Sequence, residues 1–243
     1  PKPPPTTFGR QAKQYRYLDL TSWMLDWLGV SCNGQRLKRI GEGNEDLRPS
    51  EGQDTVPAMT HRDQLKHLLL ERSVRFGNFT LSSGASSTYY IDARRTTMSA
   101  EGQVLVGQVG YEMVRKSGLE PTHLGGLTMG ADPISYAIAH RSHLEGHPLD
   151  GFSVRKEAKH HGTGNRIEGG LDPSSRCLVI EDTLTTGKST LSAVEALREH
   201  GVTMVGVLAL VDRSDNAEDL FREVGLPLLS IFSVQELLEE NQP

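Results

Sequence analysis

Apolar residues recur along most of this chain with two different spacings, and each spacing predicts one kind of secondary structure. Short runs that are apolar at nearly every position are typical of strands buried on both faces of a sheet. Such runs predict strands at residues 151–155, 177–181, 202–211 and 226–232. The core of the protein is therefore expected to be a sheet.

Apolar residues at intervals of three and four predict helices between these strands, and several of the helices begin at a capping residue. The predicted N-caps are Thr60, Ser99, Asp132 and Ser233. The helix after Ser99 should end before Gly118, and Pro133 favours the first turn of a helix over residues 134–140. Strands that alternate with helices predict an α/β fold, with a Rossmann-like parallel sheet flanked by helices. The ligand is expected at the carboxyl ends of the strands.

Residues 1–59 lack this pattern and are predicted to be an atypical extension, whereas residues 60–243 form the folded domain. The Pro-rich opening and the polar stretch at residues 41–60 should both be flexible. Between them, residues 17–30 hold enough apolar side chains for a short amphipathic helix that packs on the domain or on a partner. A membrane-surface role is the weaker alternative, because this segment contains two aspartates and no Lys or Arg.

Composition and charge exclude several classes of protein. The chain has 243 residues, 36% of them hydrophobic, and a mean hydropathy of −0.41, which indicates a soluble protein. No apolar run approaches the ~18 residues of a membrane span, and no secretory signal is visible, so a cytoplasmic protein without a membrane partner is expected. A net charge of −5 argues against nucleic acid as a partner. The two cysteines, Cys32 and Cys177, do not make a disulfide scaffold.

One predicted strand runs directly into two acids and a polar turn. Residues 177–180 are followed by Glu181, Asp182, Thr183, Leu184, Thr185, Thr186, Gly187, Lys188 and Ser189, after which apolar residues resume at helical spacing. Free N–H groups and the positive dipole end at a helix start favour a phosphate monoester, and Gly187 lets the backbone approach it closely. Ionised carboxylates only accept hydrogen bonds, so the two acids suit the vicinal hydroxyls of a ribose. The segment therefore predicts a sugar-phosphate site.

A nucleotide-binding P-loop is an alternative interpretation of the same turn. Its pattern requires glycine at the position that Asp182 occupies, so the match fails at its first residue. A plain strand-to-helix turn would explain a capping threonine at Thr185 but not the paired acids.

A basic segment follows the strand predicted at residues 151–155. Arg155, Lys156 and Lys159, with two histidines beside them, form the densest basic cluster between residues 60 and 243. Alone, such a run is more often a solvated surface loop. Beside a sugar-phosphate motif, it becomes a candidate for binding an anionic group.

Three more segments complete an order along the chain: residues 76–84 continuing to 89–94, residues 125–133, and residues 211–213. Together with the turn and the basic segment, they resemble the type I phosphoribosyltransferases, and among these the orotate phosphoribosyltransferase family. The resemblance covers about residues 60–243. It identifies the segments, in chain order, as the orotate-side signature, the diphosphate-side loop, the flexible catalytic loop, the motif for phosphoribosyl diphosphate (PRPP) and the carboxylate-binding strand end.

The resemblance implies that family's fold, with a small N-terminal hood, and its reaction. Ribose 5-phosphate passes from PRPP to orotate, giving orotidine 5′-phosphate and diphosphate in de novo pyrimidine (UMP) biosynthesis. Mg²⁺ is the implied cofactor, held mainly through PRPP and water without a direct protein ligand. The implied assembly is a homodimer with shared active sites, since the family's catalytic loop closes partly over the neighbouring subunit.

Site residues carry over from the family by position. The implied catalytic residues, which also meet the diphosphate of PRPP, are Arg155, Lys156, Lys159 and His161. The other implied PRPP contacts are Glu181, Asp182, Thr183, Leu184, Thr185, Thr186, Gly187, Lys188 and Ser189, with the two acids on the ribose hydroxyls. Orotate would contact Thr185 and Arg213, and Arg213 would clamp its carboxylate in a bidentate pair.

Two other functions remain open from the sequence. A phosphoribosyltransferase for another base, such as a purine, predicts that Arg213 is dispensable, because a purine has no carboxylate. A non-catalytic regulator that senses PRPP should carry a basic face for a macromolecular partner, and this acidic chain gives no sign of one.

Overall fold

A small antiparallel sheet and a larger central sheet make up the strands of the computed structural model, which describes residues 58–80, 86–157 and 166–239. The small sheet pairs β1 (Val74–Thr80) with β2 (Ser86–Ile91). The central strands are β3 (His123–Leu127), β4 (Asp150–Val154), β5 (Ile167–Glu168), β6 (Arg176–Leu184), β7 (Thr203–Asp212) and β8 (Leu228–Ser233). The extension predicted for residues 1–59, with its helix at 17–30, lies almost wholly outside the described ranges.

The central sheet has the order β5-β4-β3-β6-β7-β8. Only the short β5 runs antiparallel to its neighbour, and every other described pairing is parallel. The four strands predicted from apolar runs are all present in it, with ends shifted by one to three residues. The prediction of a mainly parallel α/β sheet is thus confirmed, and β3, which the sequence did not indicate as a strand, lies at its centre.

Helices cover both faces of this sheet. They are α1 (His61–Arg72), α2 (Arg94–Thr97), α3 (Ala100–Ser117), α4 (Ala131–Leu144), α5 (Lys188–His200), α6 (Ala217–Glu223) and α7 (Val234–Leu238). Leu178 and Ile180 of β6 pack in the core that includes α1, α3 and α4, whereas Cys177 and Val179 pack in the core that includes α5 and α6. Successive side chains of a strand point to opposite faces, so this alternation continues into the acids that follow.

Three of the four predicted N-caps are confirmed. The side chains of Thr60, Ser99 and Ser233 each accept a hydrogen bond from a backbone N–H in the first turn of their helix, and the Ser99 helix ends at Gly118 as expected. The prediction for Asp132 is wrong, because its helix already begins at Ala131 with Gly130 as the N-cap residue. The carboxylate of Asp132 instead accepts a hydrogen bond from Ser153 Oγ at 2.6 Å, a partner on β4 that local sequence does not reveal.

Within the described ranges, the search for a helix long and apolar enough to cross a membrane finds none.

Candidate active site

A polar cavity of about 240 Å³ opens at the carboxyl ends of β3, β4 and β6. It is lined by Tyr90, Ile91, Asp92, Ala93, Arg94, Leu127, Thr128, Met129, Gly130, Lys156, Glu181, Asp182, Thr183 and Ser189. Parallel α/β sheets bind ligands at this edge, because strand ends and helix starts meet there. The diphosphate-side loop, one cation of the basic segment and both acids of the sugar-phosphate motif therefore share one cavity.

Glu181 lies on the α5 side of the sheet and is almost fully buried, with 7% of its surface exposed. Its Oε2 atom accepts hydrogen bonds from Ser189 Oγ and Thr190 Oγ1, each at 2.7 Å. Burial raises the pKa of Glu181 to about 7, the two hydroxyls oppose that rise, and the neighbouring Asp182 adds to it. This carboxyl group therefore changes charge near neutral pH.

Asp182 lies on the other face, toward the start of α4, and is half-buried. Its Oδ1 accepts a hydrogen bond from the backbone N–H of Thr183 at 2.8 Å. A Cβ on Gly130 would lie 2.8 Å from both Cγ and Oδ1 of Asp182, so the glycine leaves the space that this carboxylate fills. The two acids thus reach the cavity from opposite faces of the sheet.

The predicted phosphate turn leads into α5, which begins at Lys188. Gly187 is the N-cap residue and has a φ of 72°, a left-handed conformation that favours glycine. Thr185, Thr186 and Lys188 are exposed at this turn, whereas Leu184 is buried in the α5-side core and could meet a ligand only through its backbone. The turn therefore presents hydroxyls and helix N–H groups to solvent beside the cavity.

Of the described residues of the basic segment, only some line the cavity. Lys156 lines it, but the guanidinium of Arg155 bonds outside it, with Nε donating to Glu168 Oε1 at 2.9 Å. The backbone N–H of Arg155 also donates to the carbonyl of Arg166 at 2.7 Å, just beyond the paired ends of β4 and β5. Lys159 and His161 lie outside the described residues.

Two cavity residues, Asp92 and Arg94, were not predicted from the sequence as individual site residues. Arg94 Nε donates to Asp92 Oδ1 at 2.9 Å, and this hydrogen bond raises the pKa of Arg94, with Asp182 contributing through its charge. Both residues directly follow β2, and a polar pair after a strand is the signal that could have indicated them. Arg94 is the second cation of the cavity, besides Lys156, and Asp92 is the third carboxyl group, besides Glu181 and Asp182.

Arg213 follows β7, and its backbone N–H donates to the carbonyl of Leu184 at 2.8 Å, which fixes it beside the phosphate turn. Its guanidinium carbon lies 4.7 Å from the centre of the Tyr89 ring, within the range of a cation–π contact. Within the described residues, its buried Nε has no hydrogen-bond partner. A buried donor of this kind is expected to meet an acceptor, which a ligand could supply.

A central parallel sheet that places paired acids, a phosphate turn and a helix start at one edge is the arrangement of the type I phosphoribosyltransferases. No protein-family model matches the chain. It is 44% identical over 183 residues to orotate phosphoribosyltransferase of Aquifex aeolicus, a match covering 74% of this chain and 99% of the relative. The chain belongs to the orotate phosphoribosyltransferase family.

Solved structures of orotate phosphoribosyltransferases are also similar to this chain. The Mycobacterium tuberculosis H37Rv orotate phosphoribosyltransferase in complex with Fe(III) dicitrate is 40% identical, with a TM-score of 0.65 over 73% of this chain and 99% of that one. The same enzyme in complex with PRPP is 36% identical, with a TM-score of 0.61 over 73% and 99%. An adenine phosphoribosyltransferase from Leishmania donovani, at 19% identity and a TM-score of 0.52, shares the fold alone.

Proposed function

We propose that this protein is an orotate phosphoribosyltransferase, a pentosyltransferase that makes orotidine 5′-phosphate and diphosphate from orotate and PRPP in pyrimidine biosynthesis. The observation that carries the proposal is the single cavity in which Glu181 and Asp182 face Lys156 and Arg94 at the carboxyl ends of the strands. PRPP carries a neutral diol on its ribose ring beside an anionic diphosphate, which matches that distribution of charge.

The proposed reaction separates charge. Orotate N1 attacks the anomeric carbon of PRPP with its electron pair, the bond from that carbon to diphosphate breaks, and diphosphate leaves with the bonding electrons. The proton of N1 is released to water. The sugar is cationic and oxocarbenium-like during the transfer, and the leaving group is strongly anionic. Fixed charges placed where these charges develop lower the barrier.

Each charged group has a proposed part in that separation. Glu181 and Asp182 would accept hydrogen bonds from the ribose hydroxyls, and the turn from Thr185 to Ser189 would hold the 5′-phosphate. Lys156, with Arg155, Lys159 and His161 of the basic segment, would meet the diphosphate. Arg213 and Thr185 would orient orotate, because the unpartnered Nε of Arg213 suits a carboxylate.

Mg²⁺ is the proposed cofactor. The ion would be bound mainly by PRPP oxygens and water, because Mg²⁺ keeps several waters and binds substrate phosphates with few protein ligands. The polar cavity fits such a hydrated ion, because its carboxylates can accept hydrogen bonds from the bound water. When bound, Mg²⁺ would offset negative charge on the departing diphosphate.

The direct test mixes the protein with Mg²⁺ and PRPP and offers orotate, hypoxanthine, adenine and uracil in parallel. Loss of orotate absorbance, with little turnover of the other bases, is the expected result. Turnover of a purine but not of orotate would replace the assignment with a phosphoribosyltransferase for another base. Binding of PRPP without turnover of any base would favour the PRPP-sensing regulator.

Gly130→Ala should lower kcat/KM for PRPP by about 10- to 100-fold, because the added methyl group would push the Asp182 carboxylate out of position. The matched control is Gly170→Ala, since a Cβ at Gly170 has no heavy atom of the described residues within 4 Å. Steady-state kinetics of both variants, with thermal unfolding to confirm the fold, measure the difference. Equal kinetics for the two variants would contradict this role of Gly130.

A homodimer with shared active sites is proposed as the assembly. Met98, Val104, Met129 and Tyr136 are between 51% and 69% exposed and lie on or beside α2, α3 and α4. Apolar side chains exposed along three packed helices suit the surface of a second copy. The cytoplasm remains the proposed location.

Mixing Lys159→Ala with Asp182→Asn should restore up to about a quarter of the parental activity per site, if the loop and the cavity come from different subunits. One mixed site in the heterodimer then contains both native residues. The measurement is activity after subunit exchange, with exchange followed by mass spectrometry. Confirmed exchange without recovery would argue for a site contained in one subunit.

A further inference from the structure

The buried hydroxyl of Thr190 is part of the candidate site although it does not line the cavity. Thr190 is 1% exposed, and its Oγ1 donates to Glu181 Oε2 at 2.7 Å. It belongs to the first turn of α5, about one turn before Ala193 and Val194, which are buried in the α5-side core. Its side chain therefore connects the helix that begins at the phosphate turn with the acid at the end of β6.

Ser189 donates to the same oxygen but differs from Thr190 in exposure. Ser189 is exposed and lines the cavity, so a bound phosphate can compete for its hydroxyl. Thr190 faces the interior, where the carboxylate is its hydrogen-bond acceptor. Whatever the Thr190 hydroxyl contributes to the site, it contributes through Glu181.

We infer that Thr190 is a positioning residue for PRPP: its hydroxyl holds the Glu181 carboxylate at the sugar edge of the cavity and ties that acid to the first turn of the phosphate-binding helix. The inference rests on the proposed function, and it adds a residue outside the sequence motif to that site. The buried hydrogen bond between Thr190 and Glu181 would thus join the sugar subsite to the phosphate subsite.

The hydrogen bond from Thr190 to Glu181 should affect the pH at which Glu181 ionises, which can be measured. The ionised form of Glu181 accepts from ribose hydroxyls more strongly than the protonated form, which also carries a competing O–H donor. Its pKa of about 7 means that the ionised form is gained as the pH rises through neutrality. A hydroxyl that donates to a carboxylate favours the ionised form, so removal of the Thr190 hydroxyl should raise that pKa further. The other charged groups that line the cavity are Asp182 from the same strand, Asp92 and Arg94 after β2, and Lys156 after β4.

The test compares Thr190→Val, which keeps the shape and removes the donor, with Thr190→Ser, which keeps the donor. The pH profile of kcat/KM for PRPP should have its acidic limb about one pH unit higher in Thr190→Val, since a hydrogen bond to a charged group is of that size. The loss should be about fivefold at pH 7, approach tenfold at lower pH and be nearly absent at pH 9.5. Thr190→Ser should stay within about twofold of the parent protein at every pH.

A ligand-free readout separates this inference from the proposed function. The carboxyl ¹³C resonance of Glu181, assigned by its disappearance in Glu181→Gln, should titrate about one pH unit higher in Thr190→Val than in the parent protein and Thr190→Ser. An unchanged midpoint, or a kinetic loss equal at all pH values, would overturn the inference even if orotate is turned over. A shifted midpoint without orotate turnover would overturn the proposed function and keep the link. Thr190→Ala removes the same hydroxyl if the valine variant does not fold.

Discussion

An Asp182→Asn variant should turn over orotate and PRPP about 100- to 1,000-fold more slowly than the parent protein, because a fixed negative charge beside a cationic sugar would be lost. Asparagine keeps the shape of the side chain, and its Oδ1 can still accept the Thr183 N–H that bonds Asp182 at 2.8 Å. The fold and the space beside Gly130 should therefore be unchanged. The loss is expected mainly in kcat, since the sugar becomes cationic only as diphosphate departs.

Asp172→Asn is the matched control for this charge. Asp172 is an exposed aspartate outside the cavity lining, and its Oδ1 likewise accepts from a nearby backbone N–H, that of Ser174 at 2.8 Å. Steady-state kinetics should show no change of kcat in this control, and thermal unfolding should show both variants folded. A fall in PRPP affinity with unchanged kcat would mean that Asp182 binds the ground state and does not stabilise the transferring sugar.

An Arg213→Leu variant should lose about 100- to 1,000-fold in kcat/KM for orotate, or about 3 to 4 kcal/mol, because the bidentate partner of the carboxylate is removed. Arg213→Lys should recover little of this, since an ammonium group keeps the charge without the planar pair of donors. The affinity for PRPP, measured calorimetrically without orotate, should stay within about twofold. In Arg213→Leu the Tyr89 ring loses its cation–π partner, which costs about 0.5 to 1 kcal/mol of stability.

Arg222→Leu is the control for loss of a guanidinium group. Arg222 is exposed and bonds only within its own helix, to Asp219 at 2.6 Å and Glu218 at 2.9 Å, among the described contacts. Its kinetics should match those of the parent protein. Retained orotate turnover in Arg213→Leu would contradict the carboxylate clamp and would favour a base without that group.

The strand-and-turn core of the site was predictable because its signals are local. Residues 177–180 are apolar at every position, and the strand found there is buried on both faces. The capping serines and threonine act on N–H groups three residues away, so their helices could be located from the sequence alone. The order of strands and helices also indicated the sheet edge at which the polar cavity lies.

The central strand β3 escaped prediction because two glycines interrupt its apolar residues, and glycine weakens a strand signal. The glycines have a tertiary reason. A Cβ on Gly125 would lie 2.0 Å from the carbonyl oxygen of Phe152, and one on Gly126 would lie 2.1 Å from that of Ile180. Only the neighbouring strands β4 and β6 reveal this crowding, and no window of sequence contains it.

Contacts between residues far apart in the sequence also determine the hydrogen-bond partners that the sequence could not predict. Arg155 bonds Glu168, which is 13 residues away, and Asp132 accepts from Ser153, which is 21 residues away. Thr190 is adjacent to the predicted motif, but its contact with Glu181 requires the strand and helix to pack. The residue types of the site were thus predictable, whereas their partners depend on the folded arrangement.

The closely spaced backbone on both sides of residues 158–165 has a consequence for protein engineering. Arg155 and Arg166 meet through a 2.7 Å hydrogen bond, and β4 and β5 pair immediately before it, so the two ends form a narrow stem. The entropy of closing a loop on such a stem grows slowly with loop length. Segments of other lengths from related enzymes could therefore replace residues 158–165 while the paired stem stays unchanged.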